Sequence, residues 1–500
     1  MTTVAERRGL LLGARIANGA LAAGVAVAVV AAVSLLPIPT VGVEPRLVAV
    51  DPAPADQSRV CAGAVVRVGD AAGGSAGETF VIGAPAIAAA ADGAELVRTG
   101  LQSDDAAAGS GAAPEVLRAP PTEGTLLAGA QLQAVDAPDF VGLAASSCAE
   151  PSGSIWLVGG ATTVGRSTFL LLANPTDVPA RVTLEIFGEE GPVAAPGLSG
   201  IEVPAQGQRV LSLAGFAPGL VSPVVHVTAR GGRVVAALQH SVVRGLDSVG
   251  VETIGATAEP TDLLAIPGVR IVDTVGTNRA SALADWQDVG PVLRLAVPGD
   301  VDVRATVRVV PEAEGAVGTS FQLTLDAGGV TDVPLDAADQ DGERTGGLGD
   351  GVYTVFVEAD AAIVGAVRAS TAPDTGEQSA PDSVLRGPPS DLAWFVAAPP
   401  LAGSTLVVVP DGPAPLLTIA NPTAVAATLE VSATDGAGGS TPVEVPPGGS
   451  VSLVVEPGAY VLSGSAGLAA AVTFAAPATL AAFALAPPRP VAGVVQVRVD

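Results

Sequence analysis

The sequence predicts an all-β chain in which one antiparallel β-sandwich unit is used three times, after a single N-terminal transmembrane helix. Three observations carry this: an internal repeat of fixed spacing, period-2 apolar patterning inside it, and one long uncharged apolar run near the N-terminus. The repeat is marked by Asn174-Pro175-Thr176, which returns as Asn421-Pro422-Thr423. A degraded copy, Val297-Pro298-Gly299, lies 123 positions after the first and 124 before the last.

Two further landmarks follow each turn in the same order. One is a corner between apolar residues: Val203-Pro204-Ala205-Gln206-Gly207, Leu325-Asp326-Ala327-Gly328-Gly329 and Val445-Pro446-Pro447-Gly448-Gly449. The other is a run of small apolar residues at 234–238, 363–367 and 468–472. Between landmarks the pattern alternates, as where Val225, Val227 and Ala229 interleave with His226 and Thr228. Such alternation, punctuated by Gly and Pro, is that of a strand with one face buried, and it predicts tandem Ig-like antiparallel β-sandwiches. The repeats are placed at 151–260, 285–372 and 392–487, with a Pro-, Ser- and Gly-rich linker at 373–391 and a C-terminal strand at 488–500. Residues 61–150 read as an irregular β segment packed on the first repeat. No helical period appears beyond the N-terminal run.

That run covers 16–36, contains no charge, and follows Arg7, Arg8 and Arg15. Its length spans a bilayer core, and the leading arginines place 1–15 in the cytoplasm and the bulk outside, on a stalk at 37–60. The alternative is a cleaved signal peptide; both readings export the chain. The net charge of −26, with no lysine among the 24 basic residues, excludes a grip on nucleic acid or anionic headgroups as a main activity. Two cysteines in an exported chain favour a Cys61–Cys148 disulfide over two free thiols.

The residue types that carry chemistry do not assemble into a motif. Asn-Pro-Thr is a structural turn, since Asn bonds the backbone two residues on and Pro presets φ. Proline also blocks it as a glycosylation acceptor. His226 and His240 lack a nucleophile elbow, and there is no HExxH. Trp156, Trp286 and Trp394 each precede a turn, so core or inter-module packing is expected, with a glycan-stacking face as the alternative. The acids of 336–343 read as a solvated loop, with a weak Ca²⁺ site as the alternative. Glu189-Glu190-Gly191 reads as a hairpin tip. No catalytic, cofactor-binding or metal-binding residue is assigned, and no cofactor is expected.

The stretch from Cys148 to Gly250 carries a family resemblance. Ser154-Ile155-Trp156, Gly159-Gly160, the Leu-Ala-Asn-Pro-Thr turn, the Val203-Pro204 corner and Gly245-Leu246 before Gly250-Val251 resemble the actinobacterial DUF5719 family, whose function is unknown. The resemblance implies a membrane-anchored, envelope-facing protein, encoded beside cell-envelope glycosyltransferases. Such a glycosyltransferase, another envelope protein or a glycan is then the expected partner. The expected function is a non-enzymatic interaction or structural scaffold of the envelope, with no nucleic-acid partner; the alternative is a glycan-binding module.

Overall fold

A computed structural model describes residues 19–21, 23–28, 46–50, 57–68, 79–103, 106–107, 113–120, 124–137, 140–245, 247–283, 285–316, 318–335, 347–374, 388–436, 439–487 and 495–499. The chain divides into two compact units, residues 1–53 with 490–500, and residues 54–489. In the first unit, 19–21 and 23–28 are helical, and Arg46–Val50 pairs antiparallel with Val495–Val499. Part of the expected stalk is therefore hydrogen-bonded to the expected C-terminal strand. Residues 1–15 and most of the expected span at 16–36 lie outside the described residues. Among the described residues no helix is long and apolar enough to cross a membrane.

The second unit is built from antiparallel sheets. In the first repeat, Ser154–Val158, Val224–Gly231, Ala180–Gly188 and Ser199–Val203 neighbour one another in one sheet. Gly207–Ser212, Arg166–Asn174, Val235–Arg244 and Asp247–Ile254 form the second, in that order. The same strand order recurs in the third repeat. One sheet there is Ser404–Val409, Gly458–Ser463, Ala427–Ala433 and Ser440–Val445; the other is Ser450–Val454, Leu416–Ala420, Ala469–Ala476 and Thr479–Ala484.

The middle repeat keeps this order with one fusion. Its 21-residue strand Gly351–Thr371 serves both sheets. Residues 351–359 lie between Thr261–Ile271 and Val303–Pro311, which is flanked by Thr319–Leu325. Residues 364–371 lie between Val292–Ala296, flanked by Val330–Pro334, and Asp391–Val396. This moves two boundaries. Thr261–Ile271, left between repeats by the sequence, is the first strand of the second. Asp391–Val396, split between linker and third repeat, is the last strand of the second. The Pro-rich stretch marks an insertion inside a hairpin, since the strand after it returns to pair with the strand before it. Residues 375–387 of that stretch are outside the described residues. A helix at Thr274–Ala280 also enters the second repeat; at seven residues it is two turns, too short to register as a period.

Each pair of sheets closes on a shared core. In the third repeat, Val407, Leu429 and Leu462 of one sheet meet Leu417, Ile419, Val472 and Phe474 of the other. The preceding β region joins at both ends of the row. Its Ala130, Leu132, Leu143 and Ala145 enter the core of the third repeat, while Val65, Val135 and Phe140 pack with Val251 of the first. The expectation that 61–150 leans on the first repeat is thus half of the arrangement, which closes on itself. Four strands contact one another in cyclic order at its centre: Phe140–Ser147, Asp247–Ile254, Asp391–Val396 and Thr479–Ala484.

The Asn-Pro-Thr turns are superposable in their bonding. Asn174 Oδ1 accepts from Thr176 N at 3.0 Å and Thr176 Oγ1 at 2.7 Å, and its Nδ2 donates to Val178 O at 2.8 Å and Val203 O at 3.3 Å. Asn421 repeats all four, to Thr423, Val425 O at 2.7 Å and Val445 O at 3.2 Å. The amide thereby ties the turn to the Pro/Gly corner. The middle copy keeps only the main-chain part: Val297 N donates to Gly329 O at 3.1 Å, as Asn421 N does to Gly449 O at 2.9 Å. Asn421→Ala is expected to destabilise by about 2 kcal/mol, because buried turn donors and acceptors lose their partner. Urea denaturation checks this; a loss equal to that of an exposed-surface substitution contradicts it.

Candidate functional site

The central strands converge on two buried carboxylates. Asp391 is fully buried, and its Oδ2 accepts from Leu143 N at 2.9 Å and Leu480 N at 3.2 Å. Its Oδ1 accepts from Leu392 N at 2.9 Å, and Val251 N–H adds a fourth donor. These four donors come one from each central strand. Two residues further along, Glu252 collects the next layer: Oε1 accepts from Ala145 N at 3.0 Å and Thr253 N at 2.8 Å, and Oε2 from Ala482 N at 3.3 Å. Glycine makes room for the first layer. A Cβ on Gly142 or Gly250, at φ of +141° and +146°, would sit 2.8 Å and 2.7 Å from Asp391 Oδ1. Burial holds both carboxyls well above their ordinary range; the N–H donors pull the other way, and Asp391 adds to the rise at Glu252.

A second polar junction joins the first two repeats. Arg294, 1% exposed, pairs with Asp332 through Nε and Nη2 at 2.8 and 2.9 Å. It also donates to main-chain oxygens of the first repeat, Gly160 O at 2.8 Å, Val221 O at 3.0 Å and Pro223 O at 3.3 Å. Its guanidinium lies 4.7 Å over Trp394, whose Nε1–H donates to His240 Nδ1 at 3.2 Å. Beside it, Arg244 covers Trp286 at 4.8 Å. Trp156 stacks on His226 with ring centroids 4.2 Å apart. All three indoles are buried.

One cluster has the connectivity of a nucleophile relay. On the face opposite the core of the first repeat's sheet, Ser154 Oγ lies 3.1 Å from His226 Nε2, and His226 Nδ1 lies 2.8 Å from Glu185 Oε2. A serine hydrolase needs that order, plus N–H donors aimed at the oxyanion. Here Ser154 N–H is committed to Ser152 Oγ at 3.1 Å, and the Glu185 side chain is 60% exposed. The three residues therefore form a cross-strand polar ladder, orienting the ring that Trp156 stacks on. Ser154 and Trp156 also line a depression of about 200 Å³ with Arg59, Glu150, Thr257 and Glu259, where the connectors between repeats pass.

Residues 105–456 match DUF5719, a family of unknown function. The chain belongs to this family. No curated protein matches it. Among solved structures, it is similar to a tetra-tandem repeat in the extending region of a large adhesion protein, at 12% identity over 87% of this chain and 92% of that chain. The TM-score of 0.12 means that this likeness carries no argument.

In this DUF5719 chain, Cys61 and Cys148 form a disulfide with Cα atoms 4.0 Å apart. Asn174, Pro175 and Thr176 sit in one turn and Asn421, Pro422 and Thr423 in its counterpart, in different repeats. Asp391, read from the sequence as the end of a linker, is the axial residue. The acidic loop at 336–343, with its Ca²⁺ alternative, lies outside the described residues. Arg294 had a signal that sequence reading passed over: it stands three residues before Val297, where the other copies have Leu171 and Thr418.

Proposed function

We propose that the chain is a non-enzymatic envelope protein, an interaction or structural scaffold whose three repeats are Ig-like sandwiches. The 16–36 segment anchors it, with the bulk outside the cytoplasm. The observation that supports this most is where the chemically capable side chains go. Asp391 and Glu252 bond the four central strands, Arg294 bonds one repeat to another, and the indoles pack under arginines or on His226. Side chains committed in this way hold a shape, and the exposed turns and edge strands remain for contact. The resemblance makes a polysaccharide glycosyltransferase of the envelope the first candidate partner.

Two measurements test the reading. A fluorophosphonate probe is expected to leave Ser154 unmodified in the folded protein; labelling abolished by Ser154→Ala would replace scaffold with hydrolase. Crosslinking in native envelopes is expected to recover a partner protein. Recovery of this chain alone, together with an unaltered cell surface on deletion, counts against a scaffold. The glycan-binding alternative draws on the depression beside Trp156. It gains ground if envelope polysaccharide shifts tryptophan emission and Trp156→Phe abolishes the shift.

A further inference from the structure

One sheet of each repeat ends in an equivalent strand, and one of these three edges is built differently. They are Ser199–Val203, Thr319–Leu325 and Ser440–Val445. The open side of such a strand presents main-chain N–H and C=O groups that pair with any extended chain, and charges, proline and bulges prevent it. The first and third repeats carry those devices. Aligned on the corner residues Val203, Leu325 and Val445, the position three before the corner is Gly200, Gln322 and Pro442, and the position one before it is Glu202, Thr324 and Glu444. Gly200, at φ of +77°, falls where the register slips against Val182 and Thr183. Pro442 stays in register opposite Glu430, the place a sheet edge gives to proline, with the missing N–H on the open side.

The middle repeat has none of this. Its edge runs seven residues in unbroken register with Val303–Val309 and contains no charge, proline or glycine. Among the described residues its main chain makes no hydrogen bond beyond that one strand. By equivalence with Pro442, Gln322 directs its N–H to the open side. On the core side Phe321 and Leu323 are only half-buried, whereas Leu325 is closed off. The edge is also complementary to itself. Turned about Gln322, the run Thr-Ser-Phe-Gln-Leu-Thr-Leu sets Phe321 opposite Leu323 of a second copy on one side of the sheet. On the other side it sets Ser320 opposite Thr324 of the second copy, and both kinds of pair are favourable across strands. No charge on the strand meets its own copy, which matters in a chain of net charge −26. Arg304 and Arg308, on the adjacent strand, would stand three strand spacings, about 14 Å, from their counterparts, where salt screens them. A foreign strand needs none of this symmetry.

We infer that the middle repeat pairs with a second copy of this chain, edge to edge and antiparallel, with Gln322 on the two-fold axis. The two sheets become one across that axis, and each copy covers the half-buried Phe321 and Leu323 of the other. Seven residue pairs bury less than a permanent dimer needs, so the association is weak in dilute solution and depends on local concentration. The pairing names an occupant for one edge of the proposed scaffold but does not rest on that reading, since loss of the dimer leaves any other partner recovered from envelopes in place.

The test is disulfide trapping in cells producing the full-length protein. The two native cysteines bond each other, so an introduced thiol is the one available for trapping. Gln322→Cys is expected to give a dimer of twice the chain mass on non-reducing gels, because opposed Cβ atoms lie within about 5.5 Å. Ser320→Cys alone and Thr324→Cys alone are expected to give none, since each stands four residues, about 13 Å along the strand, from its own counterpart. Chains carrying Ser320→Cys and chains carrying Thr324→Cys, produced together, are expected to join. Adding Gln322→Pro, the residue that the third repeat holds in the same place, should abolish that product. Equal trapping of all three single variants means random collision and overturns the pairing, as does the absence of any dimer. A product of another mass means that a different protein takes the edge, and overturns the second copy as its occupant. Should Gln322→Cys not fold, the mixed Ser320→Cys and Thr324→Cys experiment decides by itself.

Discussion

Asp391→Asn is expected to destabilise the protein by about 5 kcal/mol, although it changes one atom. Both carboxyl oxygens of Asp391 accept, from Leu143, Leu392 and Leu480, and Val251 adds a fourth donor. An ionised carboxyl presents two acceptor oxygens, and a protonated one adds a single O–H while both oxygens keep lone pairs, whereas an amide keeps one acceptor and adds two donors. The amide nitrogen that the substitution introduces has only N–H groups to face, so the donors it meets lose their acceptor and are repelled. The parent should also lose stability as pH rises. Both axial carboxyls are raised in the native state, chiefly by burial, so the native state binds more protons than the unfolded chain between the ordinary carboxylate range and the raised values. Stability contributed there is full below that window and is lost as pH climbs through it. A higher Tm at pH 5 than at pH 8, with a weaker slope in Asp391→Asn, is the expected result. A Tm that rises with pH over this range would sink the account.

What the sequence made legible is what each repeat needs for itself. Asn174 and Asn421 were readable because an Asx turn uses neighbours two to four residues away, and because the chain contains its own comparison. The Val203-Pro204 corner was readable for the same reason, though not that it receives the Asn174 amide at Val203 O. What joins the repeats was not legible. Glu252 looks like an isolated acid in an apolar strand, and Asp391 like the tail of a linker. Their partners, Ala145, Ala482, Leu143 and Leu480, are main-chain N–H groups, which leave no residue-type signature at any spacing. The Ser154, His226 and Glu185 ladder was missed because three strands far apart in sequence bring it together. Register alone sets those neighbours, and register depends on pairings that period-2 patterning does not specify.

Cys61→Ser is expected to cost about 4 kcal/mol, by freeing the loop that the bridge closes. The sequence separation is 87 residues. The loss should not be uniform. Cys61 and Cys148 lie in a small cluster with Leu117, Ala119 and Leu127, separate from the cores of the three repeats. Gly129 permits that packing, since a Cβ there would lie 2.3 Å from Leu117 Cδ1 and 3.1 Å from Cys148 Sγ. On one side, Cys61 ends the arm that pairs Gln57–Val60 with Glu115–Ala119. On the other, Cys148 follows the central strand Phe140–Ser147, which the axial carboxylates hold through Leu143 and Ala145. Without the bridge, the arm keeps its place in a three-stranded sheet completed by Val97–Gly100 but loses its covalent tie to the axis, while the central strand keeps its acceptors. Hydrogen exchange should therefore quicken first across 57–60 and 115–119, with 140–147 protected until global unfolding. Simultaneous loss of protection in both segments would mean that the disulfide, and not the carboxylate pair, holds the centre together.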